Sequence, residues 1–339
     1  MKRLAFAVKT AGFLLAFGLF NPLAAWGADN VKFSLGWVPI SRDAAFYVAQ
    51  DRGLYKAVNL NVTIQRGFGG ADVVKKVAGE AVDFGFGDIP SSIIARSKDT
   101  PVKVLAAYHD KSMYVIFSLK RTGIQKPKDL EGKTIGTAAG DSGRAIFPAF
   151  AAINHLDVKK IKWLTIAPDV TISSLLAGTI EATSLFYVSG PALWRTAKKQ
   201  GKEVESILYA DYGVDLYSSG VIATDITVRD RGDLSRRFIE ASYKGAAWMV
   251  ENPDGAVKSF LKFHKTADPK IARQMLDITI DHLMTKTAMD KGIGYIDQKK
   301  MTYTRDLITK FMHLTKTVPV KDLYTNEFLP RLFPKRPGK

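Results

Sequence analysis

The sequence predicts an α/β protein of two lobes, each a mostly parallel sheet flanked by helices, with a hinge and a ligand cleft between them. Three features lead there. The chain has 339 residues, more than one small core holds and enough for two domains. Short apolar runs alternate with amphipathic stretches, the pattern of parallel sheets covered by helices on both faces. That alternation is also written twice. VAGEAVDFGFGD (77–88) and LAGTIEATSLFYV (176–188) are one unit: a helix tail ending in Ala-Gly, then a short acidic-apolar strand.

In the first half, VKFSLGW (31–37) reads as a strand. AAFYVAQDRGLY (44–55) is helical and breaks at Gly53, a residue that ends helices at little steric cost. LNVTIQ (60–65) alternates as a strand. ADVVKKVAGE is a helix, AVDFGF a strand, PSSIIARSK a helix and PVKVLAAY a strand. In the second half, KTIGTA (133–138) is a strand and residues 142–156 are helical despite Pro148. IKWLTI (161–166) is a strand, followed by helix DVTISSLLAG, strand IEATSLFY, helix SGPALWRTAKKQG and strand KEVESILYA. LYSSGVIAT (216–224) reads as a strand returning to the first lobe, and the helices beyond it are expected to cover that lobe. The expected boundaries are 28–117 with 216–339 for lobe 1 and 118–215 for lobe 2. The chain would cross near 115–120 and near 212–220; two crossings make a hinge.

Lys2, Arg3 and Lys9 precede the apolar run AGFLLAFGLF and the small residues LAAWGA, the layout of a secretory signal. Asn21-Pro22 interrupts the run, which is short for a membrane span. A signal peptide over residues 1–27, leaving Ala25 at position −3, is expected, and with it a periplasmic location. Cysteine is absent, which excludes disulfides, thiol catalysis, cysteine metal sites and a lipid-modified N-terminal Cys. The formal net charge of +16 is dispersed, with no helix-turn-helix or basic arm. A solvated basic surface is expected rather than nucleic-acid binding. His109, His155, His264, His282 and His313 form no H-E-x-x-H, there is no G-x-S-x-G, and FGGAD (68–72) lacks the Lys-Ser/Thr of a phosphate loop. No catalytic residue, metal or cofactor is expected; the chain reads as a binding module and not an enzyme.

WVP (37–39), AAFYVAQDRGLY (44–55), NLNV (59–62), VAGEAVDFGF (77–86), PVKVLA (101–106), IQKPKDLEGKTIG (124–136) and LLAGTIEA (175–182) together resemble a known family. It is the periplasmic solute-binding proteins of ABC importers, in the branch serving nitrate, sulfonates, taurine and thiamine-pyrimidine precursors. The resemblance runs from about residue 31 to about 260, and PKDLEGKTIG (127–136) is its most specific piece. It implies the type II periplasmic-binding-protein fold. It also implies a monomer that captures a small organic solute and presents it to an ABC permease and its ATPase at the inner membrane. The solute would be a sulfonate, a carboxylate or a pyrimidine-like heteroaromatic. Two departures stand out. Ser41-Arg42-Asp43 occupies the loop where members often carry His or Asn, and Glu181 stands where Asp is usual. Two rival functions share the fold: an exported ligand sensor for a membrane signalling partner, and an enzyme like the cytosolic pyrimidine-precursor synthases. The synthases look reliant on a cysteine-rich segment, which this chain lacks.

In open α/β sheets ligands lie beyond the carboxyl ends of strands. The expected contacts in lobe 1 are Trp37, Phe46, Phe68-Gly69-Gly70, Gly87-Asp88, Ser91 and Tyr108. In lobe 2 they are Gly140-Asp141-Ser142-Gly143 and Tyr187-Val188-Ser189, with Tyr217 near a crossing. Trp37 either stacks on a planar ligand or packs under its loop. Asp141 and Ser142 open a helix, so they cap it, help to hold an anion there, or both. A fixed Asp141 carboxylate facing the cleft argues against an anionic ligand. Asp88, read as the equivalent corner of lobe 1, either caps its helix or accepts from an amine or ring N–H. The aromatic residues favour a planar organic ligand over bare nitrate.

Overall fold

The computed structural model describes residues 27–337. The expected signal peptide, residues 1–27, lies outside the described residues except for Gly27. Lobe 1 contains strands β1 (Asp29–Ser34), β2 (Leu60–Gln65), β3 (Phe84–Asp88) and β4 (Val102–Ala107). Lobe 2 contains β5 (Tyr114–Leu119), β6 (Thr134–Thr137), β7 (Lys162–Thr165), β8 (Ala182–Phe186) and β9 (Val204–Leu208). The chain then returns to lobe 1 with β10 (Ser219–Thr224). The sheet orders are β2-β1-β3-β10-β4 and β7-β6-β8-β5-β9.

The two orders are the same plan. β1 pairs in parallel with β2 and β3, as β6 does with β7 and β8. β10 is antiparallel to β3 and β4, and β5 is antiparallel to β8 and β9. The fourth place in each sheet is therefore taken by the strand arriving from the other lobe.

Residues 115–120, expected as a crossing, are mostly β5 instead. All six residues of YVIFSL are buried. A strand covered on both faces reads as a continuous apolar run without alternation, and here that run stands where the crossing between lobes was expected. The chain passes between the sheets over 108–113 and again over 209–218. The passages are tied together: the Ser218 N–H donates to the His109 carbonyl at 3.0 Å, and the His109 N–H to the Ser219 carbonyl at 3.0 Å.

Helices α1 (Ala44–Asp51), α2 (Gly70–Ala78) and α3 (Ile89–Ser97) belong to lobe 1. Helices α4 (Ser142–Ile153), α5 (Thr171–Ala177) and α6 (Gly190–Lys199) belong to lobe 2. Then follow α7 (Gly232–Glu251), α8 (Pro253–Phe263), α9 (Pro269–Leu283) and α10 (Gln298–Phe311). α7 and α8 pack on α1, as expected for a cover of lobe 1. α9 and α10 do more: α9 reaches α6, and α10 packs against both α3 and α4. Lobe 1 is centred on Phe33, Phe46, Phe84 and Phe238, with the Phe84 and Phe238 rings stacked at 4.4 Å. A second apolar cluster runs through both lobes and includes Ile89, Tyr114, Ile146, Phe150, Tyr217 and Ile308.

The repeated Ala-Gly unit has a mechanical reason. In lobe 1, Asp83 accepts the Lys32 N–H at 2.8 Å, joining the start of β3 to β1. In lobe 2, Glu181 accepts the Thr134 N–H at 2.9 Å, joining β8 to β6. Asp83 stands four residues after Gly79, whereas Glu181 stands three after Gly178. Both acids stand one residue before their strand, in the same register against β1 and β6, so the Glu181 departure keeps the brace. Glu181→Ala, which removes the acceptor, is expected to lose that hydrogen bond and about 1 kcal/mol of stability. Urea unfolding checks this as a lower midpoint at unchanged slope; an unchanged midpoint would show that Glu181 is not a brace.

Candidate functional site

The lobes meet at the carboxyl ends of their strands. Around one cavity lie Trp37, Ile40 and Arg42 from the loop after β1, Gly69 and Gly70 at the start of α2, Phe86 to Asp88 at the end of β3, and Ser219. From lobe 2 come Asp141 and Ser142 at the start of α4, Leu185 and Phe186 at the end of β8, and Ser189. This space is small, about 40 Å³; the lobes are close together.

Two glycines permit that approach. Gly69 pairs as a parallel bridge with Gly140 across the cleft. Its φ of +117° suits glycine, and a Cβ there would lie 1.9 Å from the Gly140 oxygen. A Cβ on Gly70 would lie 2.5 Å from the Asp88 Cβ and 2.6 Å from the Ser142 Oγ.

Asp88 caps α3, accepting the Ser91 N–H at 2.8 Å and the Ser91 hydroxyl at 2.7 Å. It also accepts the Tyr114 hydroxyl, which comes from lobe 2. Burial pushes its pKa up to about 6, against the lowering effect of the Tyr114 and Ser91 hydrogen bonds. Asp141 caps α4, accepting the Arg144 N–H at 2.7 Å and the Ser184 hydroxyl at 2.6 Å. Burial first, and then the charge of Asp88, push its pKa up to about 7. Strict topology makes Asp43, at the start of α1, the counterpart of Asp141, and Phe186 the counterpart of Asp88. The corners at 87–91 and 140–143 are not equivalent.

Arg42 is 5% exposed. Its Nε donates to Asp43 at 3.1 Å, while burial raises the Asp43 pKa against the pull of Arg42. The guanidinium carbon lies 5.3 Å from the Phe86 ring centre and 5.7 Å from that of Phe186. Its Nη2 is buried without a hydrogen-bond partner among the described residues. His109, in the first passage, has both ring nitrogens buried and unpartnered among the described residues. Burial, then the charge of Arg42, hold it well below the usual imidazole range.

Of the sequence candidates, Trp37, Gly69, Gly70, Gly87, Asp88, Asp141, Ser142 and Ser189 line the cavity. Two stand one layer behind. Ser91 donates to Asp88, and the Gly143 carbonyl accepts from Tyr209 at 3.2 Å. Five do not line it. Phe46 fills the lobe 1 core edge-on to Phe33 at 4.7 Å. Phe68 is 47% exposed and flanked by Arg66 and Lys76. Tyr108 is buried against Phe86, its hydroxyl donating to the Arg42 carbonyl at 3.2 Å. Tyr187 packs on Phe117 and Trp194. Tyr217 lies in the shared core, its hydroxyl accepting the Asp297 N–H at 2.8 Å. For the four other than the exposed Phe68 the common reason is packing, since large rings fill the space between sheet and helices. Arg42, Phe86 and Phe186 were missed. Arg42 was visible only as an oddity of the loop, and the two rings only as strand residues.

Two α/β lobes joined by two passages, with a cavity at their facing rims, make this a protein of the periplasmic-binding-protein fold. Sequence defines the family as well: the NMT1/THI5-like family model matches residues 41–256, and the chain belongs to that family. It is 26% identical to the riboflavin-binding protein RibY of Chloroflexus aurantiacus, over 89% of this chain and 86% of that protein. It is 24% identical to the formylaminopyrimidine-binding protein of Halalkalibacterium halodurans, over 78% of this chain and 79% of that protein. The alkanesulfonate-binding protein SsuA from Xanthomonas axonopodis pv. citri, solved bound to MOPS, shares the fold. It has a TM-score of 0.66 at 14% identity, over 89% of this chain and 99% of that one.

A carboxyl whose pKa is raised on folding makes the folded state hold the proton more tightly, so its contribution to stability falls as pH rises toward the raised value. For Asp141 that window runs from about 4, the unfolded value, to about 7. Asp141→Asn imitates the protonated form. The melting temperature of the wild type relative to Asp141→Asn is expected to fall steadily between pH 4.5 and 7.5. Parallel melting curves would show instead that the carboxyl is ionised in the folded protein throughout this range.

Proposed function

We propose that the protein is the substrate-binding component of an ABC-type importer, exported to the periplasm, where it holds a small organic solute between its lobes and delivers it to a membrane permease. The observation that carries this reading is the cavity itself, whose walls come from both lobes. A solute touching both walls favours the closed arrangement by its differential affinity for the two states, and a permease can recognise that arrangement. The space between the closed lobes is small, so an organic solute enters with the lobes further apart. The named binding-protein relatives support a receptor rather than a catalyst. Riboflavin and formylaminopyrimidine, the solutes in their names, are the first to try. The N-terminal segment supports export, and the fold's usual state, a monomer, is the expected form in solution.

A thermal-shift panel on the purified, refolded protein tests this. It should contain riboflavin, aminopyrimidines, alkyl and aryl sulfonates, aromatic carboxylates, taurine and nitrate. A solute at a hundred times its Kd is expected to stabilise by about 2.7 kcal/mol, a shift of a few degrees. Trp37→Ala is expected to weaken that solute by about tenfold or more, since a stacked aromatic contributes of order 1 kcal/mol beyond the area it buries. No shift with any compound would overturn the receptor reading in favour of a sensor that takes its signal by other means.

A further inference from the structure

The cleft holds one unfilled hydrogen-bond position on a charged group. Arg42 is the only Lys or Arg among the described residues lining the cavity, and its Nη2 is buried with no partner among them. A buried guanidinium N–H left unpaired is costly, and native proteins rarely leave one so. The group is also held in place. Nε is fixed on Asp43 at 3.1 Å, the loop carbonyl is held by Tyr108, and the guanidinium lies between Phe86 of lobe 1 and Phe186 of lobe 2. Gly36, another lining residue, stands beside it: a Cβ there would lie 3.7 Å from Nη2, at ordinary contact distance.

The charge around it decides what the partner is. Asp43 already balances Arg42. Asp88 and Asp141 share the cavity wall, their carboxyls bonded to Tyr114, Ser91, Ser184 and the Arg144 N–H. An oxyanion would bring another acid to a site with three carboxyl groups and one guanidinium, whereas a neutral oxygen adds no such repulsion. Trp37, Phe86 and Phe186 supply flat apolar walls. We infer that Arg42 is the ligand's anchor and specificity residue, its Nη2 donating to a carbonyl-type oxygen of an uncharged, planar ligand. This rests on the receptor reading above and adds the residue and the functional group. It also gives Phe186 a role: by stacking on the guanidinium from lobe 2, it orients the donor only when the lobes are together.

The test is calorimetric titration of the full chain with three matched pairs: nicotinamide and nicotinate, benzamide and benzoate, uracil and orotate. Wild type is compared with Arg42→Lys and with the double variant Arg42→Met, Asp43→Asn. The first keeps the charge but loses the forked donors; the second avoids stranding a buried Asp43. Thermal melts establish that both variants fold. The expected result is that the neutral member of at least one pair binds wild type about tenfold more tightly than its acid, and that both variants lose this preference through weaker binding of the neutral member. An acid that binds more tightly than its neutral partner overturns the proposal and leaves a receptor for anions. A preference that survives both variants overturns the role of Arg42. Binding of none of the six overturns the ring-amide ligand, while the wider panel decides the receptor reading by itself.

Discussion

The architecture turns on an exchange of strands. Each sheet is four strands of one lobe with a gap filled by a strand coming from the other, β10 in the first and β5 in the second. Those two strands lie inside their sheets, paired on both sides, so the segments leaving them are anchored at both ends. The passages between lobes are short and bonded to each other through His109, Ser218 and Ser219. A hinge made in this way permits a change of angle while keeping the two rims opposed. Every group in the cleft inherits its position from that constraint.

Much of this was legible in the residues. The doubled strand–helix order, the Ala-Gly units and the returning strand at 216–224 each reported local periodicity or local turn chemistry, and each formed. β5 was not read as a strand, because its apolar run stands where a crossing between the lobes was expected. The role of the carboxylates in the repeat was half legible: the acid after Ala-Gly was visible, but its bond to a strand some fifty residues away was not. The cleft was less legible than the fold. Residues that mark the ends of strands, such as Trp37, Asp88 and Asp141, reach it. Tyr108, Tyr187 and Tyr217 also stand near strand ends, yet their rings turn into the packing. A sequence gives the position of such a ring along the strand and not the direction its helix cover will demand of it.

The electrostatics of the cleft have the same character. Asp88 and Asp141 both serve as caps for the helices they precede, and that duty alone would explain them. What makes them unusual is that lobe closure removes both from water while Tyr114 and Ser142 arrive from the opposite side. Local sequence signals specify caps; only the assembled cleft raises their affinity for protons. Arg42 shows the converse. It departs from the pattern of its loop, and the assembled structure places it between two rings from different lobes.

The strand exchange also sets an order of assembly. Lobe 2 is one unbroken stretch from β5 to β9, so all its strands exist once Leu208 has been made. Lobe 1 has β1 to β4 long before that, but β3 and β4 are not neighbours; they need β10 between them. Its sheet therefore keeps an open slot until Thr224 is present. A chain emerging from its N-terminus can complete its middle before its beginning, and the first half stays unfinished through most of its synthesis. Under the export proposed above, which threads an unfolded chain through a membrane, a late-arriving central strand is a built-in delay.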